Sequence, residues 1–506
     1  MSYLMGIDIG STSIKSHIYN ITGNIIASGK RPTKVSYLNS EHQDWVYWDP
    51  EIMWEDTISV IREAVKKVDY PEKIKGIAVT GFGQDGLPVD EDGNWLYPFI
   101  SWHCSRTEPQ SQVLKSKIGA SKIFNISGRQ IMPIDSIYRI MWIKDNHPEI
   151  LEKTDKWLLV EDYINYKLCG RKVTDYSIAS TTSVLNLKKQ IWSKDLIESA
   201  GIDKEIFPDI QSSGSVIGRI TDRVSRMTGL KNKTPVVLGG HDCITASLAV
   251  GAYKRNVIMD ICGTWETVLK SVKKPFLNKS IFNAGLTVES HVMENNYAIF
   301  ATAVAGGMFE WYKNNFIQKK GEIENNLQKA SKINPGSKGL FFLPHFSGAG
   351  TPINDNRSLG AFIGLSDNIN KVVLLRGIIE GLNYQFREML ESLEYTLNIE
   401  AQNIVSVGGI TRNKLWMQIK SDIIGKKIII PAIEEASSLG AALLAGIGVG
   451  IYKDINEAFD NTFRIKKIYE PNKNSSQKYN TYYDIYKEIY PAVKNVNNKI
   501  FENFVI

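Results

Sequence analysis

The sequence predicts an α/β protein of two lobes built on one plan and facing each other across a cleft, and three observations carry that expectation. Residues 4–15 (LMGIDIGSTSIK) return in altered form at residues 257–268 (VIMDICGTWETV). Each copy runs an apolar strand into an aspartate, then a glycine turn with hydroxyls, then an alternating run that reads as the second arm of a hairpin. The two aspartates, Asp8 and Asp260, stand about half a chain apart, as a duplicated unit requires. At 506 residues the chain is also too long for one ordinary core, and two domains, 1–247 and 248–506, are the expected division.

The first copy has its own chemistry. Gly6 and Gly10 would let the backbone approach an anion, while Ser11, Thr12 and Ser13 add hydroxyl donors and Lys15 a positive charge, so the turn can cradle a polyphosphate. Asp8, at the end of a buried strand, would face those phosphates and could hold Mg²⁺ directly or through water, because a hard cation takes carboxylate oxygen. A tight hairpin with a polar tip is the plainer alternative; the echo at Asp260 favours phosphate binding.

Composition narrows the class. With 43% hydrophobic and 23% charged residues the chain reads as a soluble globular protein. A net charge of +6, from lysines and arginines scattered rather than clustered, gives no reason to expect nucleic acid or an anionic membrane as partner. Cys104, Cys169, Cys243 and Cys262 show neither CxxC spacing nor disulfide-scaffold density, which fits a reducing, cytoplasmic setting and indicates no zinc site. No secretory signal is expected at the start, and the longest apolar run, residues 439–452, is too short for a membrane span and reads as a buried helix.

Along the chain, Asp49 and Pro50 open a core-facing helix. Residues 74–80 (IKGIAVT) form a buried strand that enters Gly81, Phe82, Gly83, Gln84, Asp85 and Gly86. A polar loop at a strand's carboxyl end is where α/β domains present ligand-binding groups, and Gln84 and Asp85 could bond several sugar hydroxyls; turn chemistry around three glycines is the alternative. Trp102 and His103 follow the next strand, where an indole could lie on a sugar ring and an imidazole meet a hydroxyl, or the Trp could simply be core. Residues 134–165 look helical throughout. Residues 234–238 (TPVVL) lead into Gly239, Gly240, His241 and Asp242, so that Asp242 is the first candidate for a general base, with a helix N-cap as its bland role. His241 could be a ligand or only a satisfied neighbour. In the second half, residues 301–307 read as a strand-to-helix turn and residues 340–352 as an aromatic, glycine-rich loop over the cleft. Residues 371–397 are a long helix whose Gly377 and Gly381 signal close packing. The strand 403–407 ends in Gly408 and Gly409, a turn suited to a nucleotide's phosphates or ribose.

Two hairpins of this kind, with a lone aspartate at a strand end between them, point to ATP-dependent phosphoryl transfer to a small hydroxylated acceptor, a reaction in which the protein positions, neutralises charge and takes one proton. At this point the residues resemble the FGGY carbohydrate kinases, through GIDIGSTS, GGHDC, DICGTWE, FLPHFSGAGTP and VGGITRN in family order over nearly the whole chain. The resemblance implies the two-domain, actin-like and ribonuclease H-like ATPase fold, with ATP, Mg²⁺ and a small-molecule sugar as ligands and a homodimer as a possible assembly. It places Mg²⁺ and phosphate at Asp8, phosphates at Thr12, Gly263 and Thr264, the adenosine end at Gly408, Gly409 and Asn413, and proton acceptance at Asp242. Within the family, residues 74–90, 97–107 and 140–151 look most like L-fuculokinases, implying L-fuculose as acceptor, whereas the SGAGTP loop at 347–352 looks more like that of xylulokinases, with Ala349 and Gly350 replacing an acidic and a basic residue. A pentulose kinase is therefore the alternative, and a non-catalytic sugar or nucleotide sensor the distant one.

Overall fold

Apolar strands and amphipathic helices sort into two mixed sheets, each laid down on the same plan. The computed structural model describes residues 2–37 and 45–504. In the first sheet the order is Val216–Arg219, Pro235–His241, Ile74–Gly81, Tyr3–Ile9, Ser13–Asn20 and Ile25–Pro32. The three middle strands Pro235–His241, Ile74–Gly81 and Tyr3–Ile9 are parallel, and the last three form an antiparallel meander. In the second sheet the order is Thr287–Ser290, Tyr297–Val304, Trp265–Val272, Val257–Cys262, Asn403–Val407, Ile428–Pro431 and Ile465–Tyr469. Its parallel trio is Val257–Cys262, Asn403–Val407 and Ile428–Pro431, again followed outward by an antiparallel meander. The duplicated hairpins are therefore equivalent central elements of two equivalent sheets.

Parallel strands buried on both faces need continuous apolar sequence, and Met5, Ile7, Ile9, Ile77, Val79, Val236 and Leu238 supply it with no exposed surface. Each lobe has its own core, and residues between Tyr97 and Phe207 add a smaller one around Leu114, Ile123, Ile140 and Phe207. A fourth cluster joins the lobes. It gathers Leu4, Ala78 and Val237 from the first sheet, Met259, Leu269 and Val405 from the second, and the faces of two helices, Asp242–Ala249 and Ala436–Gly448.

Close helix–sheet and helix–helix approach at this seam explains two glycines. A Cβ on Gly6 would stand 1.8 Å from the Ser438 carbonyl oxygen, and one on Gly440 would stand 2.0 Å from that of Thr245. Gly6 thus serves helix docking, which corrects its reading as an anion-approach glycine.

Local signals placed most elements. Asp49 caps the helix Pro50–Val65 by accepting from the backbone N–H groups of Glu51 and Ile52, and Lys371–Leu397 is one continuous helix. Residues 134–165 are not all helical: His147–Pro148 breaks the run, and Lys156–Leu159 is a strand paired with Gly86–Val89, so Trp157 is core on a strand. Proline's fixed φ and missing N–H end the first helix there. Gly377 and Gly381 admit Leu340 and the Phe342 carbonyl, hence a strand rather than a second helix. The tyrosines of the terminal helix Lys473–Phe504 are packing, with Tyr479, Tyr483 and Tyr486 buried.

Candidate active site

Three adjacent parallel strands of the first lobe end together and deliver the polar groups. In register, Asp8 pairs with Thr80, and Gly81 with His241, so the Asp8 strand and the His241 strand flank the strand that feeds Gln84. Two strand spacings leave the Asp8 and Asp242 backbones roughly 10 Å apart.

Asp8 ends its strand nearly buried, and among the described residues the nearest cation is Lys15 Nζ at 3.9 Å. Burial pushes the Asp8 carboxyl up to about 7, Lys15 opposes the shift, and Asp242 and Glu435 add to it. Lys15 bonds Glu435 at 2.7 Å; burial favours its neutral amine, but Asp8 and Glu435 outweigh this and keep it charged. A poorly compensated, buried carboxylate beside a second acid is the donor set a hard divalent cation wants, so Asp8 fits Mg²⁺ on chemical grounds. The hairpin tip beyond it is open: Thr12 is exposed, Gly10 and Ser11 are partly so, and Ser13 is buried at the base, its carbonyl accepting from Gly10 N–H at 3.2 Å.

Asp242 is the first residue of its helix, and His241 occupies the N-cap position without a side-chain cap. The capping alternative therefore does not describe Asp242, whose side chain remains about 30% exposed. Burial raises its carboxyl while His241 pulls it down, and Lys15 does so more weakly. The His241 Nε2 lies 3.6 Å from Asp242 Oδ1.

The loop after the middle strand is strained and strongly held. Gln84 has φ of +71°, unusual for a residue with a side chain. Thr181 Oγ1 accepts from its N–H at 2.8 Å and Ser136 Oγ donates to its carbonyl at 2.5 Å. Its amide is oriented so that the oxygen accepts from Arg129 Nη2 at 3.2 Å. Asp85 is different. It is fully enclosed, pairs with Arg139, and accepts from Trp48 Nε1 at 2.6 Å and from the Trp102 backbone N–H at 3.0 Å. The carboxylate is a brace that fixes where Trp102 starts, not an open acceptor for a sugar hydroxyl, and its reading as a direct contact is corrected accordingly. The Trp102 and His103 rings stack at 3.7 Å, His103 exposed and Trp102 partly so.

The second lobe offers glycines where the first offers acids. The Val257–Cys262, Tyr297–Val304 and Asn403–Val407 strands all point the same way, and after them come Gly263 with Thr264, Gly306 with Gly307, and Gly408 with Gly409. Gly306 N–H donates to the Gly263 carbonyl at 3.1 Å, and a Cβ on Gly408, at φ +101°, would stand 2.4 Å from the Cys262 carbonyl oxygen. This glycine floor has the eleven-residue helix Gly306–Phe316 starting in it, a geometry suited to phosphate. Asn413 uses its side-chain oxygen to cap the next helix, accepting from Trp416 N–H at 3.2 Å. The loop 347–352 packs on the Tyr297–Val304 strand through the Thr351 N–H to Thr302 carbonyl bond of 3.0 Å.

Asp260, the echo of Asp8, is not a second acid site. It is fully buried, bonded by Ser406 Oγ at 2.6 Å and Lys420 Nζ at 2.7 Å, and Lys420 also pairs with Glu266. The duplication is architectural; the chemistry of the two hairpins has diverged. Sequence reasoning missed Glu435, Arg129 and Glu289, and read the Gly306–Gly307 pair as a strand-to-helix turn without assigning it to the site. Only the two glycines carried a local signal, a doublet at a strand end.

Residues 3–249 match the N-terminal domain, and residues 259–449 the C-terminal domain, of the FGGY family of carbohydrate kinases. The chain belongs to that family. It is 29% identical to the xylulose kinase of Bacillus subtilis (strain 168), with 99% of each chain covered. It is also 29% identical to the L-fuculokinase of Escherichia coli (strain K12), over 90% of this chain and 94% of that one. The structure of a xylulose kinase from Lactobacillus acidophilus superposes with a TM-score of 0.90 at 24% identity, covering 99% of this chain and all of the other. The two-lobed ATPase architecture and a sugar kinase activity follow. Among the described residues no helix is long and apolar enough to cross a membrane.

Proposed function

We propose that this kinase transfers the γ-phosphate of Mg·ATP to a hydroxyl of a ketose, with L-fuculose as first acceptor and Asp242 as the base. The observation that carries the reading is the placing, at the ends of the two strands that flank Ile74–Gly81, of an Asp8–Lys15 hairpin with an exposed hydroxyl tip and a partly exposed Asp242. In this reading Gly10, Ser11, Thr12, Ser13 and Lys15 face the phosphates from one lobe, and Gly263, Thr264, Gly408, Gly409 and Asn413 hold the nucleotide from the other. Asp8 would hold Mg²⁺, which when bound neutralises charge on the transferring group. Gln84, Trp102 and His103 orient the sugar: a strained, braced amide for a hydroxyl and a stacked pair of rings for a face. Asp85 contributes by holding Trp102. Asp242 takes the hydroxyl proton late in transfer, and a carboxyl raised by burial suits that task. Four unpaired cysteines are in keeping with a cytoplasmic setting.

D-xylulose is the second reading, supported by the full-length coverage of the Bacillus subtilis relative against the shorter match to the L-fuculokinase. ADP release with Mg·ATP against L-fuculose, D-xylulose, D-ribulose, glycerol and gluconate separates the two. Asp242→Ala is expected to keep its fold and ATP affinity while kcat falls by about 10²- to 10⁴-fold. A fully active, folded Asp242→Ala protein would overturn the assignment.

A further inference from the structure

We infer that Glu289, a residue of the second lobe, is a positioning residue for the base: it holds His241 so that one edge of the imidazole faces Asp242. Glu289 lies on the edge strand Thr287–Ser290 and is buried. One of its oxygens meets His241 Nδ1 at 2.8 Å, and the other pairs with Arg129. His241 therefore presents Nε2 towards Asp242, 3.6 Å away. Arg129 continues the chain by bonding Asp135 at 2.6 Å and the Gln84 amide oxygen at 3.2 Å. The result is an alternating series, Asp135, Arg129, Glu289, His241 and Asp242, that begins beside the proposed sugar loop and ends on the proposed base.

Stability alone does not call for such a series. Buried ion pairs are often no better than apolar packing, because desolvation offsets the attraction. The seam is already closed by the Val288 N–H to Gly128 carbonyl bond of 2.8 Å and the Ser290 N–H to Ser180 Oγ bond of 2.9 Å. Gly128 is what lets the edge strand come so near, since its Cβ would stand 2.3 Å from the Val288 carbonyl oxygen. Burial favours a neutral His241, yet the Glu289 carboxylate at its Nδ1 raises it well above the ordinary imidazole range, while burial keeps the neighbouring Cys243 thiol neutral. The other charges that face Asp242 are Glu289 itself, which raises its carboxyl directly, and Lys15 and Asp8 on the hairpin, with Glu435 behind Lys15. Glu289 thus supplies from the other lobe both the orientation and the counter-charge of the group next to the base.

The inference rests on the reading of Asp242 as base, and a double-mutant cycle tests it. Glu289→Gln keeps the hydrogen-bond acceptor and removes the charge. Its kcat is expected to fall about 10- to 100-fold, with KM for ATP and sugar changing less than about threefold. In a His241→Gln background the same change should cost less than about twofold, because the group it acts through is gone. A wild-type kcat in Glu289→Gln, or an undiminished loss in the His241→Gln background, overturns the inference. If Glu289→Gln does not fold, Glu289→Asp, which draws the carboxylate back by one methylene, carries the same cycle, and the same two results overturn the inference. Asp242→Asn in the same assay separates the levels: an active Asp242→Asn removes the base and the inference with it, whereas an inactive one beside an unaffected Glu289→Gln removes only the positioning role.

Discussion

Single residues in this kinase look alike in sequence and do different work. Gly6 and Gly10 share one motif, yet Gly6 gives room to a helix backbone and Gly10 belongs to an open turn. Gly6→Ala is accordingly expected to destabilise the protein by about 3 kcal/mol or more, since overpacking against backbone cannot relax through a side chain. Thr12→Ala, at the exposed tip, should leave the melting temperature within about 1 °C and raise the KM for ATP several-fold through the loss of one hydroxyl donor. Thermal melts and ATP titrations of the two variants check this, and a destabilised Thr12→Ala with normal KM would reverse the assignment. Asp85 teaches the same lesson in the other direction. A carboxylate beside a glycine turn was legible as a polar loop residue, but Arg139 and Trp48, which close over it, come from elsewhere in the chain.

At the scale of elements, the duplicated hairpin was visible because strand, aspartate and glycine turn are local signals. What each aspartate does was not, because Lys420 reaches Asp260 from a helix far along the chain. Lys420 also lies over the Phe386 ring at 4.0 Å, so the cation is enclosed on every side the structure describes. Lys420→Met would leave Asp260 and Glu266 buried without their counter-ion, and a loss of about 3–5 kcal/mol is expected in urea unfolding. A variant as stable as the parent would mean that the two acids share a proton and need no lysine. Helix boundaries followed capping chemistry well, as at Asp49. The error over residues 134–165 arose because a short buried strand and a helix segment are equally apolar, and pairing with Gly86–Val89 decides between them.

For the whole molecule, the seam between lobes repeats one device on each side. His17 Nδ1 lies 3.0 Å from Ser438 Oγ, and His291 Nε2 lies 2.9 Å from Ser247 Oγ, each serine belonging to one of the two central helices. Burial pushes His17 down to about 4 and His291 to about 3. Because the folded values lie below the unfolded one, both histidines contribute stability that is present above about pH 6.5 and lost as the pH falls towards 4. For His17 the loss approaches about 3 kcal/mol. His17→Asn should flatten the dependence of melting temperature on pH between 6.5 and 4; an unchanged slope would show that His17 is already charged in the folded protein.

Two lobes of one plan, the kinase family and most strands and helices follow from local pattern alone, since periodicity, capping and glycine turns act over a few residues. Tertiary structure decided the rest: that Asp260 is held in a close, fully buried ion pair while Asp8 sits nearly buried beneath an open hairpin tip with its cation 3.9 Å away, that Asp85 braces rather than faces a ligand, and that Glu289 and Arg129 reach the neighbourhood of Asp242 from distant segments. Charges and hydrogen bonds take their meaning from what is brought within about 3–4 Å and from how much water is excluded, and a linear order of residues specifies neither.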